Sequence, residues 1–385
     1  MTTTAPPRRF RLTDLAAGQD LLTAVAVPIV AVLGALSVGA VFLILVGADP
    51  LRVYEKLIDG ALGNTYSQTQ TIGKATPLLL VAIGVCIAFR ANVLNIGVEG
   101  QVIIGGLATT AFTLGFPSLP SWALITGGLL AGFAAGILYG AIPGALKAYF
   151  GVNEILSTIM MNQIAIQILI LLLTGPMRDV SASATSANII QTAQIPREGW
   201  LPLLMPRTFF HTGALLALAL AVVGFIFLWG TVLGYRIRAV GANPDAARYA
   251  GVPVRRMMFL AMALSGGLAG LAGGVEVLGV THRTIQDFST GYGFSGIVVA
   301  LFGSLHPIGA IPASLIFGGL LVSGTKLQSV GVSAAMVVVL QGLIVLFVVS
   351  SAEITRRRRR AHAAQSAAGS EAAPTAESSA AEAAS

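Results

Sequence analysis

Six stretches of this sequence run beyond twenty residues without Asp, Glu, Lys or Arg: Leu21–Gly47, Val102–Leu146, Ile155–Met177, Thr208–Tyr235, Phe288–Thr325 and Leu327–Ala352. About 20 apolar residues carry an α-helix across the hydrocarbon core of a bilayer, and inside that core every backbone polar group must be satisfied within the chain. Prolines break Val102–Leu146 and Phe288–Thr325, so each reads as a pair of helices. A transmembrane β-barrel would instead show ten-residue segments of alternating polarity, and none is present. Composition points the same way. Charged residues make up 10% of the chain and apolar ones 55%, whereas soluble domains carry roughly a quarter charged residues.

The apolar pattern predicts an all-α integral membrane protein of about ten transmembrane helices, at 21–47, 75–90, 97–115, 121–144, 154–175, 213–234, 257–280, 292–306, 308–325 and 332–351. The first apolar run is too long for the h-region of a signal peptide and reads as a retained helix. An even number of spans puts both termini on one side. Arg8, Arg9, Arg11, Arg90, Lys147, Arg236, Arg238, Arg248, Arg255, Arg256 and Arg356–Arg360 fall on that side, fifteen of the 23 Lys and Arg, so the termini read as cytoplasmic. The chain then divides into a cytoplasmic segment 1–20, a membrane domain 21–351 and a basic, then disordered, cytoplasmic tail 352–385. The membrane domain includes a polar outer loop at 175–212 and a basic inner loop at 235–256. The net charge of +7 comes from helix ends and tails, which is a topology signal and not a nucleic-acid surface. The single cysteine, Cys86, allows no intrachain disulfide.

Two helices carry small residues every fourth position: Gly132, Gly136, Gly140 and Gly144, then Gly266, Gly270 and Gly274. Such faces let helix backbones approach closely in lipid. Three clusters carry polar chemistry. In Phe89–Gln101, Glu99 sits among Asn92, Asn95, Gln101 and glycines. A carboxylate there faces a partner or a watery cavity at a broken helix, or it is solvated near the inner surface or paired with Arg90. In Gly151–Gln163, Glu154, Thr158 and Asn162 share a helix face, with Asn153 just before it; they line a path or glue helices together. In Gly234–Pro253, Asn243 followed by Pro244 starts a helix of about two turns that Gly251 and Pro253 stop. This is either a knob for another protein to grip or an ordinary basic loop.

Four blocks in order carry a resemblance to the membrane subunits of ABC importers for branched-chain amino acids, simple sugars and nucleosides. Asn95-Ile-Gly-Val-Glu-Gly-Gln101 and Asn153-Glu-Ile-Leu-Ser-Thr-Ile-Met-Met-Asn162 look most like the nucleoside and simple-sugar branch. Gly241-Ala-Asn-Pro-Asp-Ala-Ala-Arg-Tyr-Ala-Gly251 resembles the segment that docks on the ATPase, which implies coupling roles for Gly241, Asn243, Pro244, Asp245, Ala246, Ala247, Arg248, Tyr249 and Gly251. Gly291–Gly303 is similar to the segment opening a re-entrant helix in the second half. The resemblance covers roughly residues 50–350. It implies two related halves with re-entrant or broken helices, a second permease subunit of different sequence, a cytoplasmic ATPase, and an extracytoplasmic substrate-binding lipoprotein at a bacterial plasma membrane. ATP and Mg would sit on the ATPase, with no cofactor on this chain.

The residues agree that hydrolysis lies elsewhere. Of four lysines only Lys74 follows a glycine, with Gln68 where a phosphate-binding loop needs its first one. The histidines at 211, 282, 306 and 362 have no metal-ligand spacing, and no nucleophile–base pair is evident. The reading is therefore a permease for nucleosides, with simple sugars as the alternative substrate. Asn95, Glu99, Gln101, Asn153, Glu154, Thr158, Asn162, Tyr292, Phe294 and Ser295 are the candidate path residues, because a nucleoside pairs a flat ring with hydroxyls and amides. An ion-coupled secondary transporter would instead need paired intramembrane carboxylates, for which Glu99, Glu154 and Glu276 are the candidates. A structural scaffold would leave the polar central helices unexplained.

Overall fold

A computed structural model describes residues 33–181, 190–289, 291–327, 332–333, 335–344, 346–347 and 350. The segment 1–20, the first part of the helix expected at 21–47, residues 182–189 of the expected outer loop, and the tail 352–385 lie outside the described residues. The chain forms two compact units. One, Met1–Gly47 with Val338–Ser385, contains helix α1 (Leu33–Leu45), where Gly34 packs on the Phe347 ring.

The second unit, Ala48–Val337, holds the remaining helices. In order these are α2 (Pro50–Leu62), α3 (Thr65–Arg90), α4 (Val98–Gly115), α5 (Ser121–Phe150), α6 (Glu154–Thr174), α7 (Gly213–Gly230), α8 (Val232–Ala242), α9 (Pro244–Tyr249), α10 (Val254–Glu276), α11 (Tyr292–Phe302) and α12 (Ala310–Leu327). A short apolar helix is also described at Ala335–Ile344. Among the described residues five helices are long and apolar enough to cross a membrane: α3, α5, α6, α7 and α10 with its π-helical end. The described backbone is helical apart from turns, loops and isolated β-bridges, Gln191 with Ile285 and Leu203 with His211.

Several boundaries differ from the sequence expectation, each for a local reason. Helix α3 starts at Thr65 and not at 75, because Asn64 caps it by accepting from Ser67 N and because its polar first turns find tertiary partners. Thr71, for example, donates to the Ala61 carbonyl at 3.0 Å. Helix α2 lies between the expected helices 21–47 and 75–90; Asp49-Pro50 is its start signal, with the Asp49 carboxylate accepting from Leu51 N. It is tied to α12 through Ser323, which donates to the Leu57 carbonyl at 2.5 Å. Helix α5 runs on to Phe150, ended by Gly151 in the left-handed region at φ 69°. The segment expected as a loop at 235–256 is largely helical, since Thr231 breaks the chain and caps α8.

The core is built on the glycine stripes, which face each other. A Cβ on Gly136 would lie 2.9 Å from Gly270 Cα, and one on Gly140 would lie 3.0 Å from Gly266 Cα. Gly105 of α4 meets the Gly270 backbone as well, so α4, α5 and α10 close on one another backbone to backbone at Gly105, Gly136 and Gly270. Residues 190–212 are bound down and do not trail free. Thr192 N donates to the Thr284 carbonyl, Ile195 N to that of His282 and Leu201 N to that of Leu278, while Trp200 stacks on His282 at 3.7 Å.

Candidate functional site

Between α3 and α4 the chain leaves helical geometry at Ala91 and re-enters it at Val98. Asn92 takes a positive φ of 57° to make the break. Buried amides satisfy the freed backbone. Asn95 Oδ1 accepts from Gly97 N at 3.1 Å, while its Nδ2 donates to Gln101 Oε1 and to Ser265 Oγ, both at 2.9 Å. From α6, Asn162 accepts from Gly100 N at 2.8 Å and donates to the Ile96 carbonyl at 2.9 Å. The amides thus sew the break to α6 and α10.

Glu99 lies in the first turn of α4, 7% exposed. Its Oε2 accepts from Gly293 N at 2.6 Å and its Oε1 from Gly291 N at 3.2 Å. These donors are at the start of α11, so the carboxylate seals the positive end of that helix dipole across 194 residues of sequence. With 11 residues, α11 is too short to span a bilayer. Gly291 opens it at φ 82°, and Gly293 leaves no room for a Cβ against Glu99. Arg90 is not the partner of Glu99. It donates to the Leu305 and Ser304 carbonyls beyond the far end of α11 and lies over the Trp229 ring at 5.2 Å.

Tyr292 is buried between these glycines. Its hydroxyl donates to Glu276 Oε1 at 3.0 Å and accepts from the Lys74 ammonium, which also pairs with Glu276 Oε1 at 3.3 Å. Glu276 Oε2 is buried with no hydrogen-bond partner. Lys74 reaches a cavity of about 290 Å³.

The sequence-selected residues thus separate into groups. Asn95, Glu99, Gln101, Asn162 and Tyr292 come together around the α3–α4 break and the α11 tip, all buried and hydrogen-bonded. Thr158, also buried, bonds to the Glu154 carbonyl in its own helix, and Asn153 caps α6. Glu154 pairs with Lys147 at 2.7 Å. Ser295 is half-buried, and Phe294 is 50% exposed. The sequence reading passed over Lys74, although a lysine and a glutamate within apolar helices each need a partner, a signal that could have joined them.

The third cluster folds as a short helix. Asn243 Oδ1 accepts from Asp245 N at 3.0 Å and Ala246 N at 3.1 Å, with Pro244 in the first position, and Gly251 turns the chain away at φ 77°. Ala247 packs inward while Tyr249 is 94% exposed. Arg248 and Asp245 pair at 3.2 Å on the exposed side, and Gly241 lies against the Arg90 carbonyl, with no room for a side chain.

Long apolar helices sewn by buried amides, with a half-length helix sealed by a carboxylate, define a multi-pass membrane protein of the permease type. The chain belongs to the family described as the permease component of branched-chain amino acid transport systems, whose model matches residues 67–349. It is 31% identical over 325 residues to the nucleoside ABC transporter permease protein NupB of Lactococcus lactis subsp. cremoris, covering 83% of this chain and 89% of that protein. It is 34% identical over 322 residues to the guanosine ABC transporter permease protein NupP of Bacillus subtilis, covering 83% and 91%. The glucose ABC transporter permease protein TsgB13 of Haloferax volcanii is 33% identical over 325 residues, covering 83% and 85%.

Proposed function

We propose that this chain is the membrane-spanning permease of an ATP-binding-cassette importer that moves nucleosides across a bacterial plasma membrane. The substrate class rests on the relatives named for nucleoside and guanosine transport, each similar over 83% of this chain. The observation that carries the coupling role is α9, a capped helix with Tyr249 94% exposed at its end. Such a projection is what a cytoplasmic ATPase can grip, and Gly241, Asn243, Pro244, Asp245, Ala246, Ala247, Arg248, Tyr249 and Gly251 form it. In this reading ATP and Mg bind the partner ATPase, a second permease of different sequence completes the path, and an extracytoplasmic lipoprotein delivers substrate. About ten spans with cytoplasmic termini place α9 on the ATPase side, and the 175–212 segment opposite. The domain limits 1–20, 21–351 and 352–385 follow from that arrangement.

The path runs beside the α11 tip, where Phe294 is the exposed aromatic ring and Ser295 a nearby hydroxyl. Glu99, Asn95, Gln101, Asn153, Glu154, Thr158 and Asn162 set the shape of its wall from behind. Uptake of labelled guanosine and glucose by the complete transporter in proteoliposomes tests the reading, with guanosine expected to accumulate on ATP addition. A base stacked on an aromatic ring gains about 1–3 kcal/mol, so Phe294→Ala should slow uptake by roughly tenfold and Phe294→Tyr should be tolerated. Accumulation of glucose with no nucleoside uptake would move the substrate to simple sugars, the class of the Haloferax volcanii relative.

A further inference from the structure

We propose that the cavity beside Lys74 is a binding site for a neutral, hydroxylated ring compound of the nucleoside type, and that Lys74 is the residue that selects it. The proposal rests on the nucleoside reading above and assigns a site within it. The cavity, of about 290 Å³, is lined by Gln70, Lys74, Phe209, Val280, Leu321 and Val322. That volume is at the small end of ligand pockets, suited to a single ring system with a sugar. Phe209 offers a ring held edge-on to Tyr66 at 5.9 Å, and Gln70 offers an amide donor and acceptor.

Lys74 supplies the polar contact. An ammonium carries three N–H donors, and Glu276 and Tyr292 take two, leaving one for an acceptor atom in the cavity. The side chain of Lys74 is 36% exposed while that of Glu276 is 1% exposed, so the cation faces the cavity and its counter-ion stays behind. This arrangement decides the ligand's charge. The pair is neutral overall, so a phosphate would be desolvated without a net positive charge to meet it, whereas a carbonyl or ring nitrogen needs only the donor. Nucleosides fit and nucleotides do not. The same contact reaches the α11 tip, because Tyr292 bonds Lys74 and Glu276 while Glu99 holds Gly291 and Gly293 on either side of it.

The test reads occupancy directly. Leu321→Cys, in a Cys86→Ser background, is labelled with a water-soluble maleimide in the complete transporter in nanodiscs, with and without guanosine. Guanosine should slow labelling several-fold and its 5′-monophosphate should not. Lys74→Met alone would leave Glu276 buried and unpaired, so Lys74→Met with Glu276→Gln removes both charges together. The double variant should label at the unprotected rate without ligand, lose protection by guanosine, and take up guanosine about tenfold more slowly or worse. Lys74→Arg should keep part of the protection. A transporter that takes up guanosine without protecting residue 321, or a double variant that is still protected, overturns the site while leaving the nucleoside reading intact. A transporter that accumulates glucose and no nucleoside overturns both.

Discussion

Replacing Glu99 with Gln should unfasten α11 from α4 while changing almost no volume. In the native arrangement the carboxylate accepts from Gly293 N at 2.6 Å and from Gly291 N at 3.2 Å. A glutamine has one acceptor oxygen, and its NH2 would then face the other N–H, donor against donor. The loss is one hydrogen bond to a charged group, about 1.5–3 kcal/mol, together with the attraction between a negative charge and the helix N-terminus, up to about 2 kcal/mol where partly buried. Together these weaken the docked tip by about 2–5 kcal/mol, or roughly thirtyfold to a few thousandfold in its opening equilibrium. Hydrogen–deuterium exchange in nanodiscs reads that equilibrium. The peptide covering Gly291–Phe302 should exchange faster by that factor, while peptides from α5 stay protected. Uptake should fall in parallel. Unchanged protection at Gly291 and Gly293 would refute the reasoning, because it would mean their N–H groups do not depend on the carboxylate.

Ala247→Pro removes the bond from Ala247 N to the Asn243 carbonyl, 3.0 Å in the structure, and should cost α9 about 3 kcal/mol; co-purification of the ATPase should be lost while membrane insertion persists. Gly136→Leu and Gly270→Leu each push a side chain into a facing glycine backbone, so both should lower the melting temperature and the monodisperse yield on size-exclusion chromatography, whereas Gly115→Ala, which meets nothing within 4 Å, should not. His211, in the 190–212 segment, has its pKa lowered from 6.5 to about 4, chiefly by burial and then by His282. Its unfolded form therefore takes up a proton that the folded form refuses, so stability is full above about pH 6.5 and falls by about 1.4 kcal/mol per pH unit down toward pH 4. Proteolysis of that segment between pH 7 and 5 should rise in the native protein and rise less in His211→Asn.

Short-range signals carried much of this far from the sequence alone. Apolar runs located α4 and α6 to within a residue at each end, because burial in lipid demands the same pattern wherever the helix packs. Asn243 and Pro244 announced α9, because capping is settled between neighbours. The glycine stripes announced close helix contact, though not that the two stripes face each other. What the sequence could not settle was which polar groups meet. Lys74 and Glu276 lie 202 residues apart; the lysine falls just before the expected helix 75–90 and the glutamate inside the expected helix 257–280, and nothing in the pattern joins them. Glu99 could be recognised as a carboxylate needing a partner, and its partner proved to be backbone N–H, which has no signature in side-chain identity. Periodicity, caps and hydropathy depend on a few adjacent residues and fix the helices. The ion pair, the sealed tip of α11 and the cavity at Lys74 depend on which helices pack together, and only the tertiary structure decides that.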